Sequence, residues 1–276
     1  MINPKTILIT GTSSGIGYAT ATELKKRGHR VIAAARQPKD VDRLRREGFE
    51  SLQIDLNDSQ SIRLAVSHLI KITDGKIDAL FNNAATGQPG AVEDLSRVAL
   101  REQFETNLFG PHELTCLIIP LMRKQGCGRI IFNSSVLGLV AMTQRGAYNA
   151  SKFALEGLVD TLRLELHGTG IDISLIEPGP IATDFRKNSL PLYKKHIDPA
   201  NSPRQKEYEK VEARLTKEEA YAFFTLPPEA VAKKVIHAIE SNRPKIRYYV
   251  TFPTYLFGFL KHVLPTQWLD CLLRQI

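Results

Sequence analysis

The chain has little cysteine. Its three, Cys116, Cys127 and Cys271, form no CxxC pair and leave an odd count. A disulfide framework is therefore not expected, and a reducing compartment suits the composition. The seven histidines show no HExxH spacing, so no metal is expected. Long apolar runs are missing as well. The uncharged apolar run Tyr248 to Leu260 is too short for a bilayer and holds Pro253 and Gly258. The opening MINPKTILIT lacks a charged segment followed by an apolar core and a cleavage site, so no secretory signal is expected. A cytoplasmic protein is the expectation.

Nor is the charge gathered into a block. A net charge of +8 is moderately basic, but Lys and Arg are scattered along the chain. An anionic partner is allowed, a phosphate-bearing cofactor among them. Nucleic-acid binding is not expected, because no basic helix or aromatic–basic strand pattern occurs. Apolar content of 43% supports a proper core, and 276 residues suit a single domain spanning the chain.

What is present is an alternation. The runs TILIT (6–10), RVIAAA (30–35), SLQI (51–54), IDALFN (77–82), RIIFNS (129–134) and IDISLI (171–176) read as buried strands. Helical patterns lie between and after them, at about 16–28, 40–47, 58–72, 97–125 and 147–167. The fold class this predicts is α/β: one doubly wound parallel sheet of the Rossmann type, with helices on both faces. Pro120 is expected to kink the long fourth pattern. Residues 184–225 are polar and irregular, with Pro191, Pro199 and Pro203, and are expected to form a substrate lid or to be partly disordered. A helix at about 228–241 and a strand at 245–251 follow. The tail 252–276 spaces its apolar residues like a helix. It could pack on its own domain or on a partner subunit, cover a lipophilic substrate, or touch a membrane surface.

Gly11, Gly15 and Gly17 sit between the first strand and the first helix, in TGTSSGIG. A pyrophosphate can rest on backbone N–H groups and a positive helix end only where no Cβ intervenes. After the second strand the residues are Ala35 and Arg36, so no acid is offered to ribose hydroxyls and a guanidinium is. With Ser14 as a hydroxyl donor, this favours NADP over NAD.

GAYNASK opens a helix that puts Tyr148 and Lys152 one turn apart on one face. An ammonium and a cationic nicotinamide would bring the phenol toward acid/base work near neutral pH. Ser134 and Ser135, at the end of a strand, are candidates to hold the same substrate oxygen.

With TGTSSGIG (10–17), DL (55–56), NNAA (82–85), Asn107, Ser135, YNASK (148–152) and PGPIAT (178–183), the chain resembles the short-chain dehydrogenase/reductase family over about residues 5 to 250. It is most similar to a bacterial branch of NADP-dependent oxidoreductases, linked to aldehyde reductase activity and related to hydroxysteroid and retinol dehydrogenases. The resemblance implies Tyr148 as the acid/base and Ser135 as the group that polarises the substrate carbonyl. It implies that Lys152 lowers the tyrosine's pKa and holds the nicotinamide ribose, and that Asn107 keeps a water in a relay to Lys152. It further implies a cofactor lining of Gly11, Ser13, Ser14, Gly15, Ile16, Gly17, Arg36, Asp55, Leu56, Asn82, Ala84, Tyr148, Lys152, Pro178, Gly179, Ile181 and Thr183. Ala85 departs from the family's usual glycine, and its methyl is expected to cause only a slight shift. Homodimers or homotetramers are common among relatives.

The expected activity is NADP(H)-dependent hydride transfer between nicotinamide and a small-molecule carbonyl or alcohol, in the direction of reducing apolar aldehydes or ketones. One rival is NAD-linked oxidation of a hydroxysteroid-like or retinol-like alcohol. Another is a non-catalytic dinucleotide sensor, which would need none of Tyr148, Lys152, Ser135 and Asn107.

Overall fold

In the computed structural model, residues 3–216 and 223–275 are described. The strands are β1 (Thr6–Thr10), β2 (Arg30–Ala35), β3 (Glu50–Gln53), β4 (Ala79–Asn82), β5 (Gly128–Asn133), β6 (Ile171–Glu177) and β7 (Arg247–Tyr249). All pair in parallel, in the order β3-β2-β1-β4-β5-β6-β7. The helices are α1 (Gly15–Lys26), α2 (Pro38–Arg46), α3 (Ser59–Thr73), α4 (Arg97–Phe104), α5 (Gly110–Gln125), α6 (Gly146–Glu165), α7 (Phe185–His196), α8 (Gln205–Thr216), α9 (Pro228–Glu240), α10 (Phe252–Val263) and α11 (Thr266–Leu273).

The sheet explains why its strands read as unbroken apolar runs. Alternate side chains enter two different cores. Leu8, Ile32, Leu80 and Ile130 pack with Leu69 of α3, Ile118 of α5 and Val159 of α6. Ile7, Ile9, Val31, Phe81 and Ile131 pack on the other face with Leu24 of α1, Val41 of α2 and Val235 of α9. The expected doubly wound α/β sheet is therefore the fold. Strand order reverses at β1 and β4, and a crevice at such a reversal, beyond the carboxyl ends of the strands, is where ligands bind in this architecture.

The long pattern at 97–125 is two helices, α4 and α5, joined at Glu105–Phe109 by a π-helical segment. The helix runs past Pro120 to Gln125. The widened turn is accompanied by close packing, since a Cβ on Gly110 would come within 2.1 Å of the Leu56 carbonyl oxygen.

Within 184–225 the described residues 184–216 include two helices, α7 and α8. α7 and α8 bury Tyr193, Tyr208, Val211 and Leu215 with Ala91 and Ile197 in a small core of their own. The Tyr208 hydroxyl donates to Asp94 and accepts from the Ala91 N–H, and Glu102 takes Lys195 at 2.6 Å and His196 at 2.8 Å. Residues 217–222 of the expected lid lie outside the described residues. Among the described residues, no helix is long and apolar enough to cross a membrane.

Candidate active site

The first wall of the crevice is the turn from β1 into α1. Gly11 and Gly15 have φ of +66° and +57°, which glycine adopts without strain. Close approach restricts Gly17: its Cβ would lie 2.2 Å from the Gly11 carbonyl oxygen. Ser14 caps α1 without a side-chain bond, and the first turn carries no acid. The N–H groups and positive end of α1 are thus left for an anion. At the end of β2, exposed Arg36 and Lys39 border the same crevice.

The second wall comes from the ends of β5 and β6 and from α6. Ser135 follows β5 in an extended conformation, and its hydroxyl accepts from the Leu137 N–H at 3.1 Å. Tyr148, in the first turn of α6, lies edge-on to Phe185 with ring centroids 5.4 Å apart. Lys152 is buried one turn further on, and its ammonium donates to the Asn133 carbonyl at 2.7 Å. After β6, the segment 178–183 folds back over the glycine turn. A Cβ on Gly15 would come 3.1 Å from Thr183 Cγ2, and one on Gly179 would come 2.1 Å from Thr251 Oγ1.

Together these walls enclose a cleft of about 1800 Å³. It brings together Gly11, Ser13, Ser14, Gly15, Ile16, Arg36, Asp55, Leu56, Ala84, Ser135, Tyr148, Lys152, Pro178, Gly179, Ile181 and Thr183. Ala85 lines it too.

Three expected residues stand behind the lining. Gly17 is packed under the turn. Asn82, the last residue of β4, points the other way and donates to Thr115 of α5 at 2.9 Å. Alternation along a strand puts the next residue, Asn83, on the crevice side instead. Asn107 is buried in the π segment, where its side chain accepts from the Thr86 N–H and donates to the Thr86 carbonyl and to Ser151. A buried amide must satisfy its donors and acceptor locally, and those three bonds do so.

Asn83 was not anticipated. Its amide donates to the carbonyls of Thr10 and Gly11 at 3.0 and 3.2 Å and accepts from Asn133 at 3.1 Å. Thr10 accepts from the N–H groups of both Asn83 and Ala84. The later segments, expected as a lid and as a possible apolar cover, contribute lining as well. Phe185, Leu190, Phe252, Leu256 and Phe257 give the cleft an apolar side. The inner face of α10 packs Phe257 against Val136, Leu137 and Val140, beside Ser135. Its other side leaves Tyr255, Phe259 and Val263 exposed, as Trp268 is on α11.

The short-chain dehydrogenase family model matches residues 5–193. The chain belongs to the short-chain dehydrogenase family. It is 43% identical over 270 residues to the uncharacterized oxidoreductase YbbO of Escherichia coli K12, covering 98% of this chain and 94% of that one. It is 32% identical over 254 residues to human retinol dehydrogenase 8, covering 88% and 80%. A solved short-chain dehydrogenase/reductase from Burkholderia phymatum, in complex with NAD, has a TM-score of 0.78 and 26% identity over 95% of this chain and 94% of that one. This short-chain dehydrogenase is accordingly an oxidoreductase.

Desolvation dominates the electrostatics of Tyr148 and Lys152 in the protein without a dinucleotide. Burial pushes the Tyr148 phenol up to about 12, while the neighbouring Ser135 hydroxyl pulls it back. Burial also brings the Lys152 ammonium down to about 8, with Glu156 pulling the other way. Desolvation is the largest influence on the phenol. At neutral pH, Tyr148 therefore holds its proton and Lys152 is cationic.

Proposed function

We propose that this dehydrogenase reduces apolar aldehydes or ketones with NADPH. The observation that carries the reading is the position of Tyr148 and Ser135. They line one cleft with the apolar Phe185, Leu256 and Phe257 and with the segment 178–183, whose Thr183 closes on the glycine turn.

The residues present fit a dinucleotide. The turn of Gly11, Gly15 and Gly17 is a cradle that any Cβ would fill, and the uncommitted first turn of α1 suits a pyrophosphate. Arg36, Lys39 and Ser14 are the donors available to a 2′-phosphate, and no carboxylate follows β2 directly to take ribose hydroxyls. When bound, the dinucleotide supplies the hydride that reaches the carbonyl carbon.

The chain's own part is to hold and protonate the oxygen. The Ser135 hydroxyl donates a hydrogen bond to the carbonyl oxygen and polarises it. Tyr148 transfers its phenolic proton to that oxygen as negative charge develops there, and takes a replacement from water afterwards. Lys152, cationic below about pH 8, stabilises the transient phenolate. The rings of Phe185 and Phe257 exclude water from this step.

A second reading, NAD-linked oxidation of an apolar alcohol, draws support from the solved relative in complex with NAD and from the similarity to a retinol dehydrogenase. One experiment separates the two. Aldehydes, ketones and alcohols of graded chain length are assayed with each of the four oxidised and reduced dinucleotides, followed by absorbance of the reduced nicotinamide. Turnover of apolar carbonyls with NADPH supports the first reading. Turnover confined to NAD and alcohols would replace it with the second.

A further inference from the structure

Behind the pair that the proposed reaction uses lies a buried cluster that it does not. Glu156 follows Lys152 by one turn of α6, and Asp160 follows by another. Glu177 ends β6, directly before Pro178 and Gly179, and is fully buried. Arg247 of β7 reaches all three. Its Nη1 donates to Glu156 Oε2 and Glu177 Oε1, and its Nη2 donates to Asp160 Oδ2 at 2.6 Å.

This geometry joins two parts of the active site that no strand pairing ties together. α6 carries Tyr148 and Lys152; the end of β6 leads into the segment that closes on the glycine turn. The contact is tight elsewhere as well. A Cβ on Gly138 would lie 2.8 Å from Ser134 Oγ and 3.1 Å from Glu156 Oε1, so the loop after Ser135 presses on the same carboxylate.

The charges do not balance if every group is ionised. The Asp160 side chain is 39% exposed and also pairs with Arg163 at 3.5 Å. Glu156 and Glu177 share one guanidinium nitrogen in the interior, and two ionised carboxylates there repel each other without solvent to screen them. Lys152 gives its proton donor to the Asn133 carbonyl, not to this cluster. Glu156 Oε1 and Glu177 Oε2 both lack a partner, and of the two inner acids Glu177 is the more enclosed, its unpartnered oxygen being Oε2. A proton on that oxygen removes one negative charge from the interior.

We propose that Arg247, Glu156 and Glu177 form a positioning clasp that holds the Tyr148–Lys152 helix against the 178–183 segment, and that Glu177 is protonated in the working enzyme. The clasp rests on the reading of that segment as the nicotinamide side of the cleft. Burial first, and then the neighbouring Glu156, push the Glu177 carboxyl up to about 8. The groups facing it are Glu156 and Asp160 from α6, Arg247 and Tyr249 from β7, and Lys152 beyond Glu156.

The sign of the pH effect follows. Between the ordinary carboxyl range and about pH 8 the folded chain holds a proton that the unfolded chain has lost. This contribution to stability is complete below the unfolded pKa and disappears as pH rises through about 8.

The test compares Glu177→Gln with Glu177→Ala on the full chain. Thermal unfolding from pH 6 to pH 9 and binding of NADP+ and NAD+ by calorimetry are the readouts. Glutamine mimics the protonated acid. It is expected to keep dinucleotide affinity at pH 7 within about twofold and to flatten the fall in melting temperature that the wild type shows from the acid end of this range up to about pH 8. Alanine is expected to weaken affinity by about tenfold or more, because the end of β6 loses its tie to α6. The clasp is overturned if glutamine weakens binding as alanine does, or if it leaves the pH slope of the wild type unchanged. Should alanine fail to fold, the slope with glutamine still decides. The function reading fails separately, if wild-type protein binds neither dinucleotide.

Discussion

Lys152 donates from Nζ to the Asn133 carbonyl at 2.7 Å, and the Asn133 amide continues to Asn83 at 3.1 Å. Asn83 then reaches the Gly11 carbonyl. The lysine of α6 and the glycine turn of β1 are thus ends of one hydrogen-bonded chain across the carboxyl ends of β5 and β4. The position of the helix that carries Tyr148 and Lys152 and the shape of the glycine turn are set together.

Removing the middle of that chain should therefore damage the cradle. Asn83→Ala strands the Thr10 and Gly11 carbonyls and opens space beside Gly17, where a Cβ would meet Asn83 Nδ2 at 2.6 Å. We expect a loss of stability of about 1–3 kcal/mol and weaker dinucleotide binding. Thermal unfolding and a dinucleotide titration check both. Unchanged binding would show that the glycine turn holds its shape without the link.

Tyr148→Phe removes only the proton that the phenol gives. Turnover should fall by about a thousandfold or more, while dinucleotide affinity stays within about threefold. Binding and single-turnover assays on the same preparation check the split. Retained turnover would assign the proton to another group.

Arg36→Ala removes a guanidinium at the end of β2 and leaves the glycine turn untouched. The kcat/KM with NADPH should drop by about 10- to 100-fold, with little change for NADH. A drop shared equally by both dinucleotides would place Arg36 at a part common to them.

The buried ammonium of Lys152 makes two pH predictions. The reduction rate should fall on the alkaline side as pH passes about 8, where that cation is lost. For stability, the folded chain binds fewer protons than the unfolded chain between about 8 and the ordinary lysine range, so the cost of burying the charge is complete below about 8. Lys152→Met should then raise the melting temperature at pH 7 and gain less near pH 10. A gain that does not change with pH would point to packing rather than charge.

Much of this was legible in the sequence, and the exceptions have physical reasons. Parallel strands buried on both faces print as apolar runs, so the order of strands and helices was readable. The glycine turn was readable because its spacing follows from steric exclusion. Asn82 and Asn83 could not be told apart, since the strand's facing depends on register within the sheet. α8 was hidden by its charges, although Tyr208, Val211 and Leu215 repeat with helical spacing. Arg247 lies 91 positions from Glu156 and 70 from Glu177. No local pattern connects such residues; the sheet does. Desolvation at Tyr148 was equally invisible, because it depends on what encloses the phenol.

The central claim is hydride transfer to an apolar carbonyl with Tyr148 supplying the proton. The most direct measurement uses NADPH carrying deuterium at the transferable position, with a long-chain aldehyde or ketone and analysis of the alcohol by mass spectrometry. The account predicts deuterium on the former carbonyl carbon with wild-type protein and almost none with Tyr148→Phe. An alcohol formed without the label, or equal labelling by both proteins, would contradict it.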